Sequence, residues 1–356
     1  MDSDAVSTQP YFIDLTMVNK DGDLSLDFTQ TEKQANGPIN FIMHDSVPKF
    51  MLGLFMTQNI TGIGMNAGFQ RAIKAVTTRK GSLLNPNSPA PLGLRSHSMF
   101  RVNSSLFGVL AQATGGFASA ASSVYVLYYL RGKLPSGGEE LCIEGLSVGY
   151  GARSFADGLD AVYYVAQENY PVEFAEIQFG VTIESFSIHE DSGGAGRYRG
   201  GCGIIRDIRV HLDEMVLGIR IDNCRYPAFG VSGGLSGSPG RVILNPETSA
   251  SREIKTLSDG NIVKRGDLIR IITPGGGGWG CPYDRPPVQV FEDFLDGNIS
   301  EQSVFTEYGV VLTNNKKEVD VDKTSSHRKT LKRPTKMFNR KIQYDAEDDR
   351  DDKYQV

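Results

Sequence analysis

The stretch VTIESFSIHEDSGGAGRYRGGCGIIRDIRV, residues 181–210, sets the fold class. Val181 to Ile188 and Gly203 to Val210 are short runs of branched apolar residues interleaved with polar ones, as expected of half-buried β-strands. Between them, His189 to Gly201 is a glycine-rich run that reads as a long tight turn. The same texture spreads outward. SVGYGAR (147–153), MVLGIRI (215–221), RVIL (241–244) and LIRII (268–272) are further short apolar runs separated by Gly, Asp and Ser clusters. The half of the chain after residue 140 is therefore expected to be β-rich.

Upstream, residues 11–30 read as a β-hairpin, with Asn19-Lys20-Asp21-Gly22 as the turn and Leu24 to Phe28 alternating cleanly. Residues 39–75 have mixed apolar spacing and support no assignment. Gly81 to Pro91 is a loop by composition. Residues 92–130 are the best helical stretch, although Ala118 to Leu130 reads as either helix or buried strand. Helical spacing returns over 287–308. The fold class expected is α+β, with one domain over 11–313, a flexible segment 1–10 and a disordered charged tail over 314–356. The basic run Arg328 to Lys332 leaves a docking or targeting arm as the alternative for the tail.

The bulk numbers exclude several classes. The chain has 356 residues, 40% hydrophobic and 22% charged, with a net charge of -5 and a pI near 5.6. A mildly acidic chain lacks the concentrated positive field that nucleic acid requires. No apolar run approaches the ~20 residues that span a bilayer, and Met1 to Pro10 lacks the apolar core of a signal peptide, so a cytoplasmic protein is expected. Cys142, Cys202, Cys224 and Cys281 form no C-x-x-C pair, which argues for free thiols over a zinc site. The 40 glycines cluster in short runs, implying tight turns and close backbone approaches.

Four segments could hold chemistry. His189 to Gly201 combines acids, an imidazole and two arginines, though an inter-strand turn whose Asp and Arg pair with each other accounts for it better. Thr273-Pro274-Gly275-Gly276-Gly277-Gly278-Trp279-Gly280 resembles a phosphate loop but lacks the Lys-Ser/Thr pair, so close packing around Trp279 is preferred. Pro171 to Glu176 places Glu173 and Glu176 three residues apart, on one face if helical, for acid/base work or for pairing with Arg197 or Arg199. Gly145 to Asp160 is a Gly/Asp turn that could present Arg153 to a substrate. The five histidines show no metal-ligand spacing, and no G-x-S-x-G elbow supports a Ser/His/Asp triad.

Read in order, Leu26-Asp27-Phe28-Thr29 with Gly37-Pro38-Ile39-Asn40, Lys80 to Pro86, Gly149 to Arg153 with Asp157-Gly158, Pro171 to Glu176, Asp191 to Gly203, Gly230 to Gly234, Pro274 to Gly280 with Pro282 and Arg285, and Tyr308 to Val311 resemble the C-terminal part of hydantoinase B/oxoprolinase proteins. The resemblance runs from about residue 11 to 312. It implies a subunit of an ATP-dependent cyclic-amide hydrolase, paired with a hydantoinase A-type subunit on which ATP and Mg are expected, with no cofactor on this chain. The related ketone carboxylases of acetone and acetophenone give an alternative, and a truncated partner-binding remnant gives another. Family members begin with a longer region whose His/Asp-rich stretch supplies metal ligands in the carboxylase branch. On this resemblance the chain is expected to start after it, so no metal ligand is expected to carry over. Glu173, Glu176 and Asp191 are the expected catalytic groups. Arg153, Arg197 and Arg199 are the expected substrate-binding groups.

Overall fold

The computed structural model describes all residues except 61, 63, 134–136, 164–167 and 341–356. It divides into two compact units, Met1–Ser119 and Ala120–Val356, where the sequence predicts one domain over 11–313.

In the first unit, β1 (Thr16–Lys20) and β2 (Asp23–Asp27) form the expected hairpin, in register from Thr16 opposite Asp27 to Lys20 opposite Asp23. Asp21 and Gly22 both take positive φ, which matches the turn to the strand twist. The unassigned region holds α1 (Ser46–Asn59), α2 (Gly68–Ala72) and β3 (Ile73–Thr77), the last parallel to β2. The expected helix is α3 (Arg95–Ala113), which buries Phe100, Val102, Leu106, Leu110 and Ala111. Residues 1–10 are not loose. The Asp4 carboxylate is fully buried and accepts from the Ser7 amide, the Tyr11 hydroxyl and, across 33 residues of sequence, the Gly37 amide.

The second unit is two antiparallel sheets around one core. Its strands are β4 (Val126–Lys133), β5 (Glu139–Leu146), β6 (Val181–Ile188), β7 (Ile204–Val210), β8 (Glu214–Arg220), β9 (Gly230–Val231), β10 (Arg241–Leu244), β11 (Arg252–Glu253), β12 (Leu257–Lys264) and β13 (Leu268–Ile272), with α4 (Val172–Phe179) before β6. One sheet has the order β11-β10-β13-β7-β6, the other β12-β8-β4-β5. Val126, Leu130, Leu217 and Ile219 of one meet Ile208, Val242, Ile269 and Ile271 of the other in a shared hydrophobic core. Ala118 to Leu130 thus resolves partly as a strand. It is central to its sheet, so β-branched and aromatic residues pack on both neighbours and override the small-residue helical pattern. The run 147–153 is not a strand but a glycine loop joined by isolated bridges at Val148 and Arg153.

Beyond the sheets lie α5 (Pro287–Leu295), α6 (Glu301–Thr306), α7 (Val321–Thr330) and β14 (Phe338–Asn339). Val290 of α5 and Val304 of α6 are buried with Ile299, Tyr308, Val310 and Ala195 in a smaller second core. The expectation of disorder from 314 onward fails for 314–340. Asp320 caps α7 by accepting from the Lys323 amide, Thr324 is buried with its hydroxyl accepting from Val311 N, and β14 pairs with β9. Capping and strand pairing supply the order that composition alone does not. Residues 341–356 lie outside the described residues.

Candidate functional site

The glycine runs converge. Gly149 to Gly151, Gly193 to Gly201, Gly230 to Gly237 and Gly275 to Gly280 pack backbone against backbone, so closely that a Cβ on Gly149, Gly200, Gly230 or Gly276 would lie 1.9 to 2.1 Å from a neighbouring carbonyl oxygen. The amides of the Gly275–Gly280 loop are all used internally. Gly275 donates to Ser238 O, Gly276 to Gly201 O, Gly277 to Ala121 O, Gly278 to Leu235 O, Trp279 to Tyr198 O and Gly280 to Val231 O. A phosphate cradle needs free amides, and this loop has none to offer; it is a packing device around Trp279.

On this glycine platform sits a charged network. Arg199, 3% exposed, donates to both oxygens of Asp160 at 2.8 and 3.0 Å and to Asp293 at 3.4 Å. Arg285, equally buried, donates to both oxygens of Asp157 at 2.7 and 2.9 Å and to Asp293 at 2.8 Å. Asp157 also accepts from the Arg199 amide, and Asp160 from the Cys202 amide. Two arginines and three aspartates thereby join the 157–160 turn, the 197–202 loop and α5 with bidentate, charge-assisted bonds. Burial pushes the Asp160 carboxyl up, but Arg199 and the Cys202 amide more than reverse this and hold it below the ordinary aspartate value. Burial raises Asp293 despite its two guanidinium neighbours. The Arg199 and Arg285 guanidiniums lose hydration by burial, yet Asp160 and Asp157 respectively keep each more firmly protonated than usual.

The structure separates the residues that the sequence grouped. Arg199 is committed to Asp160 and Asp293, not to Glu173, Glu176 or Asp191. Asp191, at positive φ, accepts from the Ser300 amide and anchors the start of α6. Glu176 accepts from the Ile183 amide and ties α4 to β6. Neither pairing expected of the 197–199 arginines, with Asp191 or with the α4 glutamates, is present among the described residues. What remains uncommitted is smaller. Glu173 is exposed on α4 without an ion pair among the described residues. Arg197 is exposed beside the Tyr198 ring. Arg153 gives one bond to Asp157 O and lies over Phe155. Arg153 and Arg197 share a neighbourhood, since Asp157 is bonded to Arg153 and to Arg285, and Arg285 also donates to Arg197 O.

Two participants are not singled out by the sequence as site residues. Arg285 enters there only as a matching residue. Asp293 carries a signal in its spacing: it lies three residues after Val290, on the face of α5 that is buried, where an acid needs a partner. A second buried pair, Arg206 with Glu144 at 3.1 Å, sits at the edge of the main core. There Glu144 also accepts from Tyr128 Oη and Asn169, while Phe186 covers the guanidinium. Among the described residues no three His, Cys, Asp or Glu side chains converge to hold a metal ion.

Residues 1–282 match the family model for hydantoinase B/oxoprolinase. The chain belongs to the hydantoinase B/oxoprolinase family. A putative D-/L-hydantoinase B-type subunit from Pseudomonas sp. (strain NS671) is 29% identical over 338 residues, covering 92% of this chain and 56% of the relative. The acetophenone carboxylase delta subunit of Aromatoleum aromaticum is 27% identical over 215 residues, covering 50% of this chain and 31% of that protein. The crystal structure of the ATP-dependent caprolactamase from Pseudomonas jessenii superposes with a TM-score of 0.74 at 23% identity, over 89% of this chain and 56% of that one, and so shares its fold. This hydantoinase B/oxoprolinase chain spans about half the length of such relatives. Among the described residues, no helix is long and apolar enough to cross a membrane.

Proposed function

We propose that this chain forms part of a B-type subunit of a cytoplasmic, ATP-dependent cyclic-amide hydrolase, assembled with a hydantoinase A-type subunit that binds ATP and Mg. The observation that carries this reading is the family match combined with a glycine platform whose amides are already spent. A chain of this family with no phosphate cradle in its glycine loop relies on a partner for nucleotide chemistry. Phosphorylation of the amide oxygen makes the ring carbonyl carbon more electrophilic; water adds to that carbon, the ring C–N bond breaks and inorganic phosphate leaves. On this reading the Arg199–Arg285 network is a positioning frame. Arg153 and Arg197, on its rim, have guanidinium N–H groups free to bind the carboxylate or phosphoryl group of an activated substrate. Glu173 is the carboxylate free to act as a base; Glu176 and Asp191 orient α4 and α6.

The test is reconstitution with an A-type subunit, followed by phosphate release on addition of hydantoin, 5-oxoproline or caprolactam. ATP turnover that requires one of these amides supports the hydrolase. Turnover that instead requires bicarbonate and a ketone supports a carboxylase, the second reading favoured by the acetophenone carboxylase relative. A stable complex without either turnover indicates a non-enzymatic, partner-binding role and overturns the hydrolase reading.

A further inference from the structure

The buried pair Arg206–Glu144 reaches beyond the core that holds it. Strand alternation puts Arg206 of β7 on one face with Ile204, Ile208 and Val210, and Glu144 of β5 on one face with Cys142 and Leu146. All five apolar residues belong to the main core, so the pair bridges the two sheets from inside. Arg206 is fully buried and Glu144 nearly so. The two oxygens of Glu144 face different ways. Oε2 accepts from Tyr128 Oη at 2.5 Å and lies 3.1 Å from Arg206 Nη2. Oε1 accepts from the Tyr170 amide at 3.1 Å and from Asn169 Nδ2 at 3.0 Å, and the same Asn169 nitrogen donates to Gly145 O at 2.8 Å. One oxygen is thus fixed by the core, and the other holds the segment that leads into α4.

Tyr170 directly precedes Pro171, the N-cap of α4, where no side chain caps the helix. Its ring meets Phe174 at 5.4 Å and Phe179 at 5.7 Å. α4 has eight residues, far below the ~12–15 at which an isolated helix becomes even marginally stable, so its anchors decide where it lies. Glu144 holds the chain just before the first turn. Glu176, accepting from the Ile183 amide, holds the far side. Glu173 sits in the first turn, three residues after Tyr170. We infer that Glu144 is a positioning residue: from the core it fixes the entry of α4 through Tyr170 and Asn169, and so holds the Glu173 carboxylate in place. The role of Glu173 as base rests on the hydrolase reading above; the anchoring of α4 does not.

Removing Glu144 alone strands a buried Arg206 without its counter-ion and would unfold the protein rather than report on α4. Arg206→Met is therefore combined with either Glu144→Gln or Glu144→Leu. The two double variants share a neutral core of similar volume and differ in the oxygen that accepts from the Tyr170 amide. Hydrogen exchange of the full chain, read by mass spectrometry over 168–179, is expected to be about tenfold or more faster in the Leu pair, while the Gln pair stays within about threefold of the parent. Equal exchange in the two pairs would overturn the anchor. If neither pair folds, Asn169→Ala, which leaves the core ion pair intact, is expected to speed the same exchange several-fold, and unchanged exchange would overturn the proposal. In the reconstituted enzyme the Leu pair is expected to lower kcat about tenfold while KM moves less than about twofold, and to lower it no further in a Glu173→Gln background. An additional loss in that background would overturn the link to Glu173. Failure of the parent complex to turn over any of the amides would overturn the hydrolase reading instead; the exchange comparison needs no activity and still decides whether Glu144 holds α4.

Discussion

At the scale of single residues, the guanidiniums divide into those that hold the fold and those that are free. Arg199, itself buried, serves the half-buried Asp160 and the buried Asp293. Arg199→Ala leaves the half-buried Asp160 without its cation and Asp293 with Arg285 alone, so a loss of about 3 kcal/mol in unfolding free energy is expected by urea denaturation. Arg199→Lys recovers only part of this, because an ammonium cannot make the paired bonds to Asp160. The exposed Arg197 behaves oppositely: Arg197→Ala leaves the unfolding free energy within about 0.5 kcal/mol of the parent while raising KM in the reconstituted enzyme. If Arg197→Ala unfolds the protein and Arg199→Ala does not, the division is wrong. The sequence locates the right loop, His189 to Gly201, but not its partners. Spacing brings Asp191 and Glu176 near Arg199 on paper. The real partners, Asp160 and Asp293, come from segments 39 and 94 residues away from Arg199, and the Arg285–Asp157 pair joins them across 128 residues. Only the tertiary fold makes that choice.

At the scale of elements, the glycines do the specifying. Four glycine-rich segments lie so close that a single methyl group has no room. Gly276→Ala would put a Cβ 2.1 Å from Tyr150 O, against rigid backbone, and is expected to cost more than about 3 kcal/mol or to abolish soluble expression. Gly64→Ala meets nothing within 4 Å and is expected to leave the thermal midpoint unchanged. A tolerated Gly276→Ala would mean the segments are looser than their contacts require. Element by element, β6, β7, β8, β10 and β13 are legible, because each is a short branched-apolar run with turn residues at both ends. β12 is not, because LSDGNIVK carries an Asp-Gly that reads as a turn. In the fold Gly260 takes a φ of 76° inside a bulge between Ser258 and Asn261, and the strand continues past it. α7 escapes notice for a different reason. Its sequence, VDKTSSHRKT, has almost no apolar face, and it is held by the Asp320 cap and by Arg328 donating to Tyr308 O.

At the scale of the whole molecule, two hydrogen-bonded carboxylates, the buried Asp4 and the half-buried Asp160, make acid the condition that distinguishes this fold. Asp4 anchors the first unit. Burial pushes its carboxyl up, but bonds from the Ser7 amide, Tyr11 hydroxyl, Gly37 amide and Ser7 hydroxyl outweigh that and hold it below the ordinary value. In the second unit burial raises Asp160, and Arg199 with the Cys202 amide lowers it further than burial lifts it. A carboxyl whose folded pKa lies below its unfolded value of ~3.9 stabilises the fold above that value, and the contribution disappears as pH falls through the folded pKa. Asp293 has the opposite sign. Its folded pKa is raised, so it takes up a proton first in the folded state and gives back some stability on acidification. Asp4 and Asp160, with Asp45, Glu184 and Asp320 also lowered by their cationic neighbours, outnumber the raised Asp293 and predict a net fall in the urea midpoint between about pH 5 and pH 3. Asp160→Asn is expected to be less stable at pH 7, since it loses a charged partner of Arg199, and to show a shallower fall over the same interval. Asp293→Asn is expected to steepen it, because the opposing contribution is gone. Urea titrations of the three proteins at about pH 7, 5, 4 and 3 read both slopes. A slope that is the same in Asp160→Asn as in the parent would remove Asp160 from the acid response and with it the claim that its bond to Arg199 is a stabilising one.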